Sequence, residues 1–309
     1  MATMRAVRIH RFGGPDVLAL DEVPVPTPGA GELLVKVRAA SLNPVDHKTR
    51  EGKFPPVGAD KLPIILGRDI AGTVAGGAAG GYREGDAVFA MLDVDQGGYT
   101  EYVLVRPEQA SPKPARLDFV AAAAVPLAGL TAWQGLLEHG QLQAGQSVLV
   151  HGGAGGVGHL AVQFAKARGA TVYATAAARD LDFMAELGVD GAIDYQAQRF
   201  EDVAQDIDLV YDLIGGETQA RSLAVLKRGG RLVSTLTEPP QQACAARGIT
   251  GLRYMTHPDG RQLGEIGALI EQGMVRVIVA ESYPMARAAA AQERLHAGGV
   301  RGKLVLEVA

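Results

Sequence analysis

The chain has 309 residues, 47% of them hydrophobic and 21% charged, with a formal net charge of −4, values ordinary for a soluble globular protein with room for two domains. That balance gives no electrostatic reason to expect a nucleic acid or an anionic membrane as partner. A single cysteine, Cys244, excludes an internal disulfide and a zinc site built from several cysteines, and it fits a reducing cytoplasm.

The opening MATMRAVRIHRF lacks the apolar core expected of a signal peptide. The first third is made of short alternating runs between turn residues, MRAVRIHRFG, GELLVKVRAAS, DIAGTVAGG, GDAVFAML and GYTEYVLV, which predict a compact, mostly β module. Pro24, Pro26 and Pro28 read as a connector. Phe119 to Leu137 carries no charge and is long enough to span a bilayer. Pro126, Gly129, Gln134, Gly135 and a run of alanines lower its hydrophobicity, so a buried helix with a kinked loop is expected instead.

From about Ala121 helix and strand alternate. QSVLVHGGAGGVGHLAVQFAKARGATVYAT reads strand, turn, helix, strand: Val148, Leu149 and Val150 form an apolar run, and Val157, Leu160, Ala161 and Phe164 share one helix face. Gly169 stops that helix. LDFMAELG then reads as helix, GAIDY and DLVYDLIGG as strands, ETQARSLAVLKRGG as helix and RLVSTL as strand. This is the grammar of a doubly wound parallel sheet. The tail offers GLRYMTH, a helix from about Gly260 to Gln272, the strand VRVIVAESYP, an alanine-rich helix and the strand GKLVLEV. The last strands are expected to rejoin the β module, giving a discontinuous domain of residues 1–122 and 260–309 around an inserted nucleotide domain of residues 123–259.

Gly153, Gly155 and Gly158 fall in the G-x-G-x-x-G register between a strand and a helix. The first allows a tight turn, the second lets backbone approach a pyrophosphate, and the third lets the helix lie close on the strand. Gly156 and Val157 complete the turn, and the helix N-terminus offers free N–H groups to the phosphates. At the end of the second strand an NAD enzyme usually places a carboxylate for the ribose 2′-hydroxyl. Here Thr175, Ala176, Ala177 and Ala178 lead to Arg179, whose guanidinium suits a 2′-phosphate, so NADPH is the expected cofactor. The bland reading of Arg179 is a solvated residue at a helix start, with Asp180 as the cap.

SLNPVDHKTREG, LGRDIAGTV, GGYTEYV, VPLAGLTAW, the glycine motif, YDLIGG and RGKLVLEV, in that order over essentially the whole chain, resemble the medium-chain dehydrogenase/reductase superfamily. Within it the resemblance is to the zinc-free quinone oxidoreductase and enone reductase branch. It implies an α/β protein in which a GroES-like, mostly β domain accompanies a Rossmann domain. The positions where zinc-dependent members carry their ligands are Asn43, Arg68 in Gly67-Arg68-Asp69, and Leu127, none of them a zinc ligand.

The resemblance implies hydride transfer to an electron-poor acceptor, a quinone or an α,β-unsaturated carbonyl, with a donor or cation for the developing oxyanion. Its candidates for that chemistry are Asn43 and Lys48. Lys48 departs from the tyrosine found nearby in many quinone reductases and resembles the plant-type enone and alkenal reductases. For Lys48 the bland reading is a solvated lysine on a turn; Arg50 is expected to pair with Asp46 or Asp69; Tyr99 is a pocket wall or, more simply, core. His47 is a candidate acid made redundant by Lys48, and His151 reads as a satisfied structural histidine.

Toward the cofactor the resemblance adds Thr131 at the nicotinamide carboxamide and Tyr195 by the adenosine. Ile214, Gly215, Thr235 and Leu236 lie at strand ends near the nicotinamide half, and Gly302 and Lys303 close the cleft. It also implies a homodimer, for which GLRYMTH is the candidate edge strand. Two other readings stay open: an NADPH-binding protein with little turnover, and an enoyl-thioester reductase, which would need a basic entry that the cleft loops do not show.

Overall fold

The computed structural model describes residues 2–308. In β1 (Thr3–Ile9) exposed Thr3 and Arg5 alternate with buried Met4 and Ala6, the period expected of a half-buried strand. It pairs antiparallel along its whole length with β2 (Leu18–Pro24), a strand the alternation analysis does not predict and which ends on the first proline of the expected connector. β3 (Leu33–Ser41) leads through Leu42 and Asn43 into α1 (Pro44–Arg50). Then come β4 (Ile64–Ile65), β5 (Asp69–Gly76), β6 (Ala87–Met91), β7 (Tyr102–Val105) and β8 (Ala110–Pro112). The uncharged stretch becomes α2 (Phe119–Ala123), α3 (Pro126–Trp133) and a π-helix at Gln134–His139.

The alternating segment supplies β9 (Ser147–His151), α4 (Gly158–Ala167), β10 (Thr171–Ala176), α5 (Leu181–Glu186), β11 (Gly191–Asp194), β12 (Ile207–Asp212), α6 (Gly216–Ser222), β13 (Leu226–Ser234), α7 (Gln241–Arg247) and β14 (Thr250–Arg253). The chain closes with α8 (Gly260–Glu271), β15 (Val279–Pro284), α9 (Ala288–His296) and β16 (Lys303–Glu307). The helix expected over ETQARSLAVLKRGG stops at Ser222, and its last five residues belong to β13. Leu226 pairs with Ile207 of β12, and Gly229 has a φ of +83°, so that stretch cannot continue a right-handed helix. Among the described residues no helix is long and apolar enough to cross a membrane.

The chain divides into two compact units. The first comprises residues 1–130, 257–271 and 277–309. It holds the three-stranded sheet β2-β1-β4 and the sheet β15-β16-β3-β5-β6-β8, with β7 also on β3. Its core gathers Val35, Val37, Ile70, Val88, Tyr99, Leu304 and Leu306, with β15 and β16 in one sheet with β3. The second comprises residues 131–256 and 272–276, with one sheet in the order β11-β10-β9-β12-β13-β14, every neighbouring pair parallel. The strand order reverses between β9 and its neighbours β10 and β12, the switch point where open sheets of this kind take ligands.

The unit boundaries differ from the expected 122/123 and 259/260. Residues 123–130 stay with the first unit because the Leu127 N–H donates to Asp69 Oδ1 at 2.6 Å and Gly129 faces Val125 and Ile266. Residues 272–276 join the second because the Arg276 N–H donates to Gln163 Oε1 at 2.7 Å and its carbonyl accepts from Gln163 Nε2 at 2.9 Å.

Candidate active site

The glycine turn between β9 and α4 is shaped by close approach. Gly152 turns the chain with a φ of +77°. A Cβ on Gly153 would come within 2.9 Å of both Ala174 Cβ and Met184 Sδ, and one on Gly158 within 2.1 Å of the Gly152 oxygen. A Cβ on Gly155 would meet only that same oxygen, at 3.5 Å. The first and third glycines of the motif are therefore packed against protein, while Gly155 between them faces open space, and Gly155, Gly156 and Val157 are half-buried. Such a cradle fits a dinucleotide pyrophosphate, with the N-terminus of α4 behind it.

The turn is braced from below. His151 is fully buried, with Nδ1 3.2 Å from Thr175 Oγ1 and Nε2 2.9 Å from Ser222 Oγ. Desolvation lowers its pKa to about 4, so it is a neutral structural residue. The Gly152 N–H also donates to Thr175 Oγ1, at 3.1 Å. Thr175, a candidate cofactor contact, thus spends its hydroxyl inside the fold, where it fixes the entry to the glycine turn. Ala176 is buried beside it and accepts from the Tyr195 N–H at 3.2 Å.

At the carboxyl edge of the same sheet stand side chains that a soluble surface does not favour. Ile214 is 55% exposed, Leu236 37% and Tyr195 59%. Arg179 is 66% exposed, with Nε 3.7 Å from Asp180 Oδ2. Gly215 carries a φ of +75°, held there by a residue the sequence analysis passes over. Buried Asp212 accepts the N–H groups of Ile214 at 3.0 Å and Gly215 at 2.8 Å, the Gln219 amide at 3.0 Å and the Ser234 hydroxyl at 2.9 Å. Its signal in the sequence is the aspartate at a strand end three residues before Gly215-Gly216, where such a side chain can hold the following amides. Thr235 follows Ser234 and donates its N–H to the Asp212 carbonyl at 3.4 Å. Thr131, at the other end of this unit's chain, places Oγ1 2.8 Å from Thr256 Oγ1.

The remaining candidates lie in the first unit, around a buried polar cluster. Asp69 Oδ2 accepts from Ser41 Oγ at 2.6 Å and Asn43 Nδ2 at 2.8 Å. Lys303 Nζ donates to the Leu42 carbonyl at 2.8 Å and to Asn43 Oδ1, and stands 3.8 Å from Asp69 Oδ2. Burial lowers the Lys303 pKa while Asp69 and Asp46 pull it back up. Lys303, which the resemblance groups with the cofactor, here gives two hydrogen bonds to this cluster and stands within ion-pair distance of Asp69. Gly302 beside it has a φ of +75°, and a Cβ there would lie 2.3 Å from the Ile278 oxygen, so it serves a backbone crossing.

Asp46 Oδ2 accepts from the Asn43 N–H at 2.7 Å and from Tyr99 Oη at 2.8 Å. Desolvation raises the Asp46 pKa to about 6 against those bonds, and burial also pushes the Tyr99 phenol well above its usual range. Tyr99 is thereby core, not a pocket wall. Arg50 does not pair with Asp46 or Asp69: it reaches Glu51 at 3.0 Å, Gln292 at 2.9 Å and the Gly13 carbonyl at 3.2 Å, because α1 turns it toward α9. His47 packs edge-on against His296, ring centroids 5.3 Å apart, and desolvation lowers its pKa. Lys48 is half-buried on α1, and no hydrogen bond or ion pair engages its ammonium among the described residues.

The zinc of the superfamily's metal-dependent members finds no fitting donors at the matching positions. The Asn43 amide is taken by Asp69 and Lys303, Arg68 Nε donates to the Leu92 carbonyl at 2.7 Å, and the Leu127 side chain has no donor atom.

Residues 29–115 match the alcohol dehydrogenase GroES-like domain family, and residues 187–306 match the zinc-binding dehydrogenase family. A chloroplastic NADPH-dependent alkenal/one oxidoreductase of Arabidopsis thaliana is 37% identical over 98% of this chain and 79% of its own length. A quinone oxidoreductase of Rattus norvegicus is 32% identical over 98% of this chain and 97% of its own. The solved structure of a quinone oxidoreductase from Coxiella burnetii superimposes with a TM-score of 0.91 at 36% identity, covering 100% of both chains.

Proposed function

The chain belongs to the medium-chain dehydrogenase/reductase superfamily, in its quinone and enone oxidoreductase branch, and on that footing we propose that it is an NADPH-dependent reductase of quinones or α,β-unsaturated carbonyl compounds. The observation that carries the reading is the glycine turn, packed at Gly153 and Gly158 and open at Gly155, beneath exposed apolar side chains at the carboxyl edge of the sheet. When bound, the nicotinamide supplies the hydride.

The chain's own part is to bind, orient and stabilise charge. Gly153, Gly155, Gly156, Val157 and Gly158 receive the pyrophosphate, with Thr175 and Ala176 holding the turn's far wall. Tyr195 covers the adenosine, and Thr131 meets the carboxamide. Ile214, Gly215, Thr235 and Leu236 flank the nicotinamide half and keep water from it. Preference for NADPH rests on Arg179 and on the absence of a carboxylate among residues 175–179. Acceptors that are already electron-poor suit residues that do not fit zinc, since no Lewis acid is then needed to polarise a simple carbonyl. Lys48, with its unengaged ammonium, is assigned to stabilise the oxyanion that develops on the acceptor, which favours enones over quinones. Asn43 holds the loop that presents it. The reading places the protein in the cytoplasm as a homodimer, with β14, an edge strand of the parallel sheet, as the pairing edge.

Replacing Arg179 by Ala tests the cofactor assignment. The NADPH KM should rise by about tenfold or more, the scale of a lost charge-assisted hydrogen bond, and the NADH KM by less than about twofold. Equal changes for both would remove Arg179 from the site. The reading of a binding protein with little turnover gains if NADPH binds and no quinone or enone consumes it.

A further inference from the structure

Helix α1 is seven residues long, too short to keep a helical shape without outside support. Its supports therefore decide where its side chains stand. At the C-terminal end Arg50 reaches Gln292 of α9 and the Gly13 carbonyl. At the first turn the support is Asp46, whose Oδ2 accepts the Asn43 N–H at 2.7 Å and the Tyr99 hydroxyl at 2.8 Å. A single carboxylate oxygen thus ties the start of the helix to a side chain 53 residues away in the sequence.

Tyr99 is a fixed anchor for that tie. Its N–H donates to the Leu66 carbonyl at 2.8 Å, and its own carbonyl accepts the Val7 N–H at 2.8 Å. The ring lies on the backbone of Gly67, which has a φ of +95° and where a Cβ would come within 2.4 Å of Tyr99 Cδ1. Tyr99 and Asp46 are both buried, so water does not take over the bond between them when it is lost. An aspartate is a destabilising choice for such an interior. Desolvation raises its pKa to about 6, against the bonds from Tyr99 and the Asn43 N–H, while Asp69 adds to the rise and Lys303 opposes it. At neutral pH the ionised carboxylate makes both bonds charge-assisted, which an apolar residue of the same volume cannot do.

Lys48 follows Asp46 by two residues, which places it about 200° further around the helix. The buried face of α1 carries Asp46, Thr49 and Arg50, and Lys48 is half-buried on the other side. No hydrogen bond or ion pair holds its ammonium among the described residues, so the backbone of α1 decides where that charge stands.

We propose that Asp46, braced by Tyr99, is a positioning residue for the hydride-transfer reaction: it fixes the first turn of α1 and thereby the place of the Lys48 ammonium. This rests on the reading of Lys48 as the group that stabilises the acceptor oxygen, and it goes beyond that reading by naming what holds Lys48 in place. Both residues act through Lys48 alone.

The test measures kcat and KM for one short enone at neutral pH, with NADPH affinity by calorimetry and a melting curve for each variant of the full chain. Tyr99→Phe removes one bond of the tie and should lower kcat by about fivefold, and Asp46→Ala removes both and should lower it by about twentyfold, within the roughly 10²-fold that a displacement of about 1 Å can cost. Asp46→Asn keeps an oxygen that can accept both bonds, and it should restore kcat to within about threefold of wild type. NADPH affinity should not change in any of them. On the Lys48→Ala background neither Tyr99→Phe nor Asp46→Ala should lower kcat by more than about a further twofold, because no ammonium is left to misplace. A kcat that Tyr99→Phe leaves unchanged overturns the inference alone, and this variant decides the matter if Asp46→Ala does not fold. So does a full loss repeated on the Lys48→Ala background, which would mark a general loosening of the first unit, and so does an Asp46→Asn variant as slow as Asp46→Ala. An undiminished kcat in Lys48→Ala, or a wild type that reduces no enone, overturns the reading of Lys48 and this inference with it.

Discussion

Gly155 and Gly158 stand three residues apart in one turn, yet a methyl group added to each should have opposite consequences. On Gly158 the new Cβ would lie 2.1 Å from the Gly152 oxygen and 2.8 Å from Gly153 Cα, both backbone atoms that cannot swing aside. The start of α4 would have to retreat by about 1 Å to restore contact distance. Alanine recovers about 0.5–1 kcal/mol of helix propensity, while overpacking of this kind costs about 1–3 kcal/mol. The net loss of about 1–2 kcal/mol should lower the melting temperature by about 2–5 °C. On Gly155 the Cβ meets nothing closer than 3.5 Å, and its backbone is not left-handed. Stability should then change by less than about 0.5 kcal/mol, but the methyl fills the open space assigned to the pyrophosphate. NADPH affinity should fall by at least about tenfold, or 1.4 kcal/mol. Thermal melts without cofactor and calorimetric titration with it separate the two effects. An intact affinity in Gly155→Ala would refute the cradle, and an unchanged melting temperature in Gly158→Ala would refute the packing argument.

Lys303→Met should strand the Asp69 carboxylate in the interior and destabilise the first unit by about 3 kcal/mol, the low end for a broken buried pair, because Ser41, Asn43 and the Leu127 N–H still donate to it. Denaturant melts should show Lys303→Met/Asp69→Asn recovering most of that loss, and no recovery would mean that the ammonium serves packing alone. Asp46 and His151 should tilt stability against pH in opposite senses. The folded pKa of Asp46 is raised to about 6, so its contribution is full below the unfolded value near 4 and is lost as pH rises through 6. The folded pKa of His151 is depressed to about 4, so its contribution is full above the unfolded value near 6.5 and is lost as pH falls toward 4. Asp46→Asn should accordingly gain about 1 kcal/mol relative to wild type between pH 5 and pH 8, read from denaturant midpoints at the two pH values; a flat difference would show that Asp46 ionises normally. Lys48→Ala should lower kcat on an enone by about 10²-fold or more, as for a lost oxyanion donor, while leaving NADPH affinity unchanged. A loss confined to KM would return Lys48 to the solvated surface.

The glycine turn was legible because its three glycines fall in register between an apolar run and an amphipathic helix, and local sequence alone dictates that geometry. The strands of the second unit were legible for the same reason, down to the apolar run at Leu149 and the stop at Gly169. The polar interior of the first unit was not. Asn43, Asp69 and Lys303 come from distant points in the chain, and only the pairing of β16 with β3 brings Lys303 beneath Asn43, so a family position could name Lys303 without revealing that its ammonium turns inward. The local sequence pairs Arg50 with Asp46 or Asp69, since nothing local shows that α1 directs it toward Gln292 on α9. β2 escaped notice because its residues alternate weakly and its existence depends on β1. Asp212 stands in the YDLIGG motif, but its role follows from which backbone groups the sheet leaves within its reach.

Oxidation of NADPH and of NADH by the purified wild type, with one quinone and one short enone in the presence of excess chelator, tests the central claim most directly. The account predicts turnover that the chelator does not diminish, with NADPH favoured and the enone the better acceptor. Turnover only of a simple alcohol or aldehyde, abolished by the chelator, would contradict it.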